Sequence, residues 1–145
     1  MRKIVTVALA LTAGVLIAVG SAVAASGDTI PTYTVHMTGT QEVPKGSPTG
    51  KGTFRYQLVT KSVLFCYSLK WSGIGTPFAA HVHKGKRGTA GPIVIPLSTT
   101  TPVAHSGCKK IKNALLNAIK KKRSAYYVNV HTKKYPGGAI RGQLG

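Results

Sequence analysis

Apolar and polar residues alternate in short runs over most of this chain, the period-two pattern of half-buried β-strands. In YTVHMTG, Tyr33, Val35 and Met37 alternate with Thr34, His36 and Thr38. GTFRYQLV places Phe54, Tyr56 and Leu58 on one side and Thr53, Arg55 and Gln57 on the other. SVLFCYSLKW gathers Phe65, Tyr67, Leu69 and Trp71 on one face, which leaves Cys66, Ser68 and Lys70 opposite. SAYYVNVHT and GGAIRGQLG flank the turn-prone KKYPGG and predict a hairpin. Antiparallel pairing across that loop sets Asn129 near Arg141 and His131 near Ala139, and makes Tyr127, Asn129, His131, Arg141 and Gln143 one polar face.

One segment breaks the alternation. KKIKNALLNAIKKKR spaces Ile111, Leu115 and Ile119 at i, i+4 and i+8, with Ala114 and Ala118 beside them, and predicts a short amphipathic helix near 109–122. Lys120 to Arg123 fall in its last turn, where positive charge suits the helix dipole. Such a helix could dock on the sheet or lie on a membrane surface, and its narrow, Ala-rich apolar face favours docking. No repeat or linker marks a second domain. The expected fold is all-β: an antiparallel β-sandwich with Greek-key connections and this one helix.

The first 25 residues stand outside that pattern. MRKIVTVALALTAGVLIAVGSAVAASGD has Arg2 and Lys3, a long apolar run and the small-residue sequence Ala22-Val23-Ala24, the parts of a secretory signal. The run is also long enough to span a bilayer as an uncleaved anchor. Residues 26–145 then form one domain of about 120 residues, enough to bury a core. Export makes a Cys66–Cys108 disulfide the natural reading, with two separately buried thiols as the alternative.

Charge sharpens the picture. The chain has 20 Lys and Arg against two acids, Asp28 and Glu42, for a formal net charge of +18. Such a field favours anionic partners: a cell-wall polymer, an acidic polysaccharide or a membrane surface, with nucleic acid set aside because the leader pattern predicts export. The same charge could serve solubility alone. Glu42 is the one carboxylate in the body of the domain, so paired-carboxylate chemistry is not available, and a Ser/His/Asp triad would need Asp28 from the N-terminal segment.

The candidate chemistry lies in the histidines. His81 and His83 of AAHVHKG project from one face of a strand, about 6–7 Å apart, where both could reach one Cu²⁺ or Zn²⁺ ion. A complete site needs a third ligand, and His131 is the candidate. Strand order decides whether the three meet. Otherwise they are hydrogen-bonded residues closing one face of the sheet. His36 and His105 have no such company and read as surface residues.

Three blocks carry a family resemblance: TGTQEVPKGSPTGKGTF, LFCYSLKWSGIGTPFAAHVHKGKRGTAGPIVIPL and AYYVNVHTKKYPGGAIRGQL. With their ordered motifs QEVP, A-H-x-H-x-G, G-P-x-V-x-P-L and Y-V-N-V-H-T…P-G-G-x-I-R-G-Q-L, they resemble the CHRD domain, named for its repeats in chordin and found singly in bacterial secreted proteins. The resemblance implies a β-rich extracellular domain, while the charge and the lack of catalytic groups make a non-enzymatic binding module the expected function. Growth-factor binding, the role of the protein that carries the chordin repeats, does not transfer to a single domain. CHRD domains commonly read P-G-G-E-I-R-G-Q-L, whereas this chain has Ala139 in place of the glutamate. That leaves Glu42 as the candidate carboxylate for pairing with Arg141 or a histidine. The H-x-H strand is also similar to that of copper/zinc superoxide dismutase, but a dismutase-like zinc site needs an aspartate that the domain body lacks.

Overall fold

The computed structural model describes residues 29–145, so the expected signal segment and Asp28 lie outside the described residues. Eight strands form one antiparallel sheet: β1 (Tyr33–Thr38), β2 (Lys51–Val59), β3 (Leu64–Ser72), β4 (Pro77–Lys84), β5 (Ile93–Ser98), β6 (Ser106–Lys110), β7 (Tyr126–Thr132) and β8 (Ile140–Gln143). Their order is β5-β4-β7-β8-β1-β2-β3-β6. Hairpins join neighbours β1-β2, β2-β3, β4-β5 and β7-β8, whereas the β3–β4 and β6–β7 connections skip over other strands in the Greek-key manner. The all-β class holds, but the expected two-sheet sandwich is one curled sheet whose edges, β5 and β6, come together. It is a nearly closed, barrel-like sheet.

The inward face follows the alternation. Val35, Met37, Phe54, Tyr56, Leu58, Phe65, Tyr67 and Leu69 are all buried. Phe65 stacks on Tyr56 at 5.3 Å between ring centroids and on Phe54 at 6.1 Å. Stacked pairs of this kind add about 0.5–1.5 kcal/mol each beyond the area they bury. Their hydroxyls are not left unpaired: Tyr56 donates to the Leu144 carbonyl at 2.8 Å, and Tyr67 donates to the Leu97 carbonyl at 2.9 Å. Leu97 lies on edge strand β5, so Tyr67 satisfies, from inside, a carbonyl next to the gap that no strand closes. On the two edges, Pro96 offers no N–H and β6 carries Lys109 and Lys110.

The disulfide joins Cys66 to Cys108 directly across the β3–β6 ladder, with 3.9 Å between their Cα atoms. Cys66 points away from the aromatic core, as the alternation requires, and Cys108 is exposed. This ladder also corrects the helix boundary. Ser106–Lys110 is strand, and the helix, α1, spans Asn113–Lys121. Lys109 and Lys110 pair with Phe65 and Leu64 and so are unavailable to the helix. Leu116 and Ile119 are its buried anchors, while Ala114 and Ala118 face outward. Ile119→Ala is expected to destabilise the domain by about 2–5 kcal/mol, the range for emptying such a site. Chemical denaturation with an unchanged m-value checks this.

β7 differs from the other strands because every one of its seven residues is buried. Tyr126, Val128 and Val130 belong to the barrel core. The other face, with Tyr127, Asn129 and His131, lies under the loop of residues 85–92 and the β7–β8 hairpin loop. A second buried layer, polar in character, therefore sits outside the barrel.

Candidate metal centre

The registers settle which side chains share this outer layer. Asn129 pairs with Arg141 and Tyr127 with Gln143 across β7–β8, the pairing read from the sequence. On the other side of β7, His81 pairs with Asn129, His83 with Tyr127 and Ala79 with His131. Adjacency of β4 and β7 brings the H-x-H pair to His131. His36 and His105 are elsewhere and exposed, His105 stacked flat on Trp71 at 4.3 Å.

One ring nitrogen from each of His81, His83 and His131 falls within a group spanning at most 4.8 Å. His81 Nδ1 is 3.1 Å from His131 Nε2. A metal with bonds of about 2 Å requires nitrogens about 3–4 Å apart, so the widest pair must close by roughly an ångström. His83 is 7% and His131 8% exposed, while His81 is half-buried and gives access from solvent.

The outer contacts point the nitrogens inward. His83 Nδ1–H donates to the Gly91 carbonyl at 2.8 Å, and His131 Nδ1–H donates to the Pro136 carbonyl at 2.9 Å. Carbonyls only accept, so each contact fixes the proton on Nδ1 and leaves an Nε2 lone pair facing the cluster. His83 Nε2 is buried without any hydrogen-bond partner. His131 Nε2 lies 2.9 Å from Asn129 Oδ1, which has no proton to give, and 3.1 Å from His81 Nδ1, whose proton it can accept in the metal-free state. Burial lowers the pKa of all three imidazoles, most for His81, which its histidine neighbours help push down to about 4. The site is therefore a pocket of neutral imidazoles whose ring nitrogens gather within 4.8 Å, one of them buried without a donor, the condition a divalent cation relieves once His81 Nδ1 gives up its proton. Three nitrogens with neither thiolate nor carboxylate suit Cu²⁺ or Zn²⁺.

Residues 85–92 hold this arrangement. Gly91 lies so close to the Lys84 carbonyl that a Cβ there would overlap it, and only glycine can present its carbonyl to His83 in this way. Gly91 N–H donates to the Tyr127 hydroxyl at 3.1 Å, and Tyr127 stacks on His83 with centroids 4.8 Å apart. On the far side of the ring, the Arg141 guanidinium sits 3.4 Å from the Tyr127 centroid. Gly91→Ala is expected to shift the Gly91 carbonyl and weaken metal binding by about 10–100-fold, the usual cost of losing an outer-sphere partner. Calorimetric titration with Zn²⁺ measures it.

The remaining predicted polar residues divide. Gln143 donates from Nε2 to the Gly85 and Ser124 carbonyls at 2.7 and 2.8 Å and accepts from Arg141. The expected Glu42–Arg141 contact pair does not form. Arg141 gives its donors to the Thr89 and Lys86 carbonyls at 3.0 and 2.9 Å, and attracts Glu42 only through space. A guanidinium matches loop carbonyls as well as it matches a carboxylate, and here the carbonyls lie within reach. Glu42 is instead buried beside Gly138, the residue that precedes Ala139, so a carboxylate does approach the hairpin although position 139 lacks one.

Residues 33–144 match the CHRD domain family. The chain belongs to the CHRD domain family. No curated protein and no solved structure gives a match. Within this CHRD domain, the family motifs A-H-x-H-x-G and Y-V-N-V-H-T lie on β4 and β7, the adjacent strands that carry the three imidazoles. The QEVP motif supplies Glu42 to the same layer. Sequence reasoning placed Tyr127 on this face but missed Gly91 and Pro136 as supports of this centre, and only the spacing of Gly91 behind the H-x-H pair hinted at a loop folding back on it.

Proposed function

We propose that this CHRD domain is an extracytoplasmic copper- or zinc-binding module with His81, His83 and His131 as its ligands. The observation that carries the reading is the buried, unpartnered Nε2 of His83 in a cluster where ring nitrogens of His81, His83 and His131 lie within 4.8 Å of one another. The general order of first-row divalent affinities ranks Cu²⁺ above Zn²⁺ for such a nitrogen site. A bound ion with three protein ligands would keep a fourth position for an outside ligand, which is the Lewis-acid and redox chemistry such a centre supplies. The chain's own part is to keep the imidazoles neutral and oriented and to limit water to the His81 side. The N-terminal leader pattern and the disulfide support placement outside the cytoplasm. Among the described residues, no helix is long and apolar enough to cross a membrane. The test is titration of the metal-free protein with Cu²⁺ and with Zn²⁺. One equivalent of saturable binding is expected, and its absence for both ions rejects the reading.

A second reading, compatible with the first, is that the basic surface holds the domain on an anionic polymer, polysaccharide or membrane. Its support is the charge of +18 and an open cleft of 670 Å³ beside His131 that Lys133 and Lys134 help line. Binding to acidic polysaccharide or anionic vesicles should weaken steeply as salt rises, and binding insensitive to salt counts against it.

A further inference from the structure

Glu42 is only 5% exposed, and it is the one acidic side chain among the described residues. Its Oε1 is buried without a hydrogen-bond donor. The groups around it come from each neighbouring element: the Asn129 amide on β7, the Arg141 guanidinium on β8, the Val43 backbone N–H of its own loop, and Gly138 of the β7–β8 hairpin. Gly138 has φ +142° and packs so tightly that a Cβ would overlap the carboxylate, so the hairpin is shaped around this acid. Arg87 donates to the neighbouring Gln41 at 3.1 Å and adds a second nearby cation. Arg141 favours the anion through space, yet it spends its hydrogen bonds on loop carbonyls. An under-bonded carboxylate in a buried layer is costly when charged.

Asn129 faces two ways. Beyond Glu42, it reaches His131 Nε2 at 2.9 Å and approaches His83. The carboxylate and the metal pocket thus share one buried amide, while no hydrogen bond joins Glu42 to any of the three histidines.

We propose that Glu42 is the charge-compensating partner of the metal centre: when a divalent cation binds the three histidines, Glu42 releases its proton to solvent and remains as a buried carboxylate beside Asn129. This rests on the metal-binding reading and deepens it. The balance is one cation in and one proton out, so the buried layer gains one positive charge where it would otherwise gain two. Burial already supports a protonated resting state, since it raises the Glu42 pKa to about 7 against the opposing pull of Arg141. A cation nearby lowers that pKa, and by linkage the proton's departure strengthens metal binding as pH rises toward 7.

The measurement is infrared difference spectroscopy on the whole wild-type chain at pH 6, with and without one equivalent of Zn²⁺, which is colourless and redox-inert. The sequence has only two acidic side chains, Asp28 and Glu42, so the protonated-carboxyl stretch can be assigned, and Glu42→Gln identifies it by its loss. The expected result is a protonated-carboxyl band that disappears when Zn²⁺ binds. Calorimetry in buffers of different ionisation enthalpy should show wild type releasing up to one proton per Zn²⁺ more than Glu42→Gln. The wild-type to variant affinity ratio should change by about tenfold per pH unit below pH 7, a comparison that cancels any contribution from the histidines. If the band persists with Zn²⁺ bound, or wild type and variant release equal protons, Glu42 is a structural residue and the metal reading stands. A wild-type protein that binds neither Zn²⁺ nor Cu²⁺ overturns both. Should Glu42→Gln fail to fold, Asp28→Asn leaves Glu42 as the one acidic side chain and assigns the band by its persistence, so the test stays intact.

Discussion

His131→Ala is expected to weaken Cu²⁺ and Zn²⁺ binding by at least about 100-fold, since even outer-sphere partners of a metal contribute about 10–100-fold. His131 stands between the other parts of the centre: Nε2 faces His81 and Asn129, and Nδ1–H is tied to the Pro136 carbonyl. Its removal leaves an H-x-H pair, which is an incomplete ligand set. It also empties a position that is 8% exposed, so a loss of fold has to be separated from a loss of ligand. Circular dichroism of the metal-free variant makes that separation, and His131→Gln repeats the test with less volume lost. His36→Ala and His105→Ala serve as controls and should bind as wild type does. Unchanged affinity in a folded His131 variant would remove this residue from the site.

Removing the disulfide should lower stability by about as much as emptying a core site. Cys66 and Cys108 are 42 residues apart, and closing a loop of that length is worth about 4 kcal/mol in the chain-entropy account. The location adds to the expectation. β6 has five residues, pairs only with β3, and contributes little apolar burial of its own. Substituting both cysteines with serine should lower the melting temperature by roughly 12–20 °C for a domain of this size. Thermal melts of the metal-free protein, compared with wild type in the presence and absence of reductant, give the answer. A shift of only a few degrees would mean that the β3–β6 ladder holds without the cross-link.

The local parts of this structure were legible because side-chain alternation is a local rule. Phe54, Tyr56, Phe65 and Tyr67 announce their own core face, and the loop between β7 and β8 is short enough to fix the Asn129–Arg141 register. The meeting of β4 and β7 was not legible, since 42 residues and the β6–β7 crossing separate His83 from Tyr126 at the start of β7 and no local pattern encodes that adjacency. β6 was missed because SGCKK has no apolar face, and its lysines were read as the start of a helix that begins at Asn113. Arg141 was assigned to Glu42 by opposite charge. Its true partners are the backbone carbonyls of Lys86 and Thr89, whose availability depends on loop shape and not on residue type.

An almost closed barrel leaves two strand edges, and such edges commonly invite a further strand from another molecule. Here the gap between β5 and β6 is guarded at each point described: Tyr67 caps the Leu97 carbonyl from within, Pro96 removes a donor, and Lys109 and Lys110 line the opposite edge. Copies crowded together on an anionic surface would meet lysine against proline and not two open ladders. Edges closed in this way are poor templates for strand addition by a second copy.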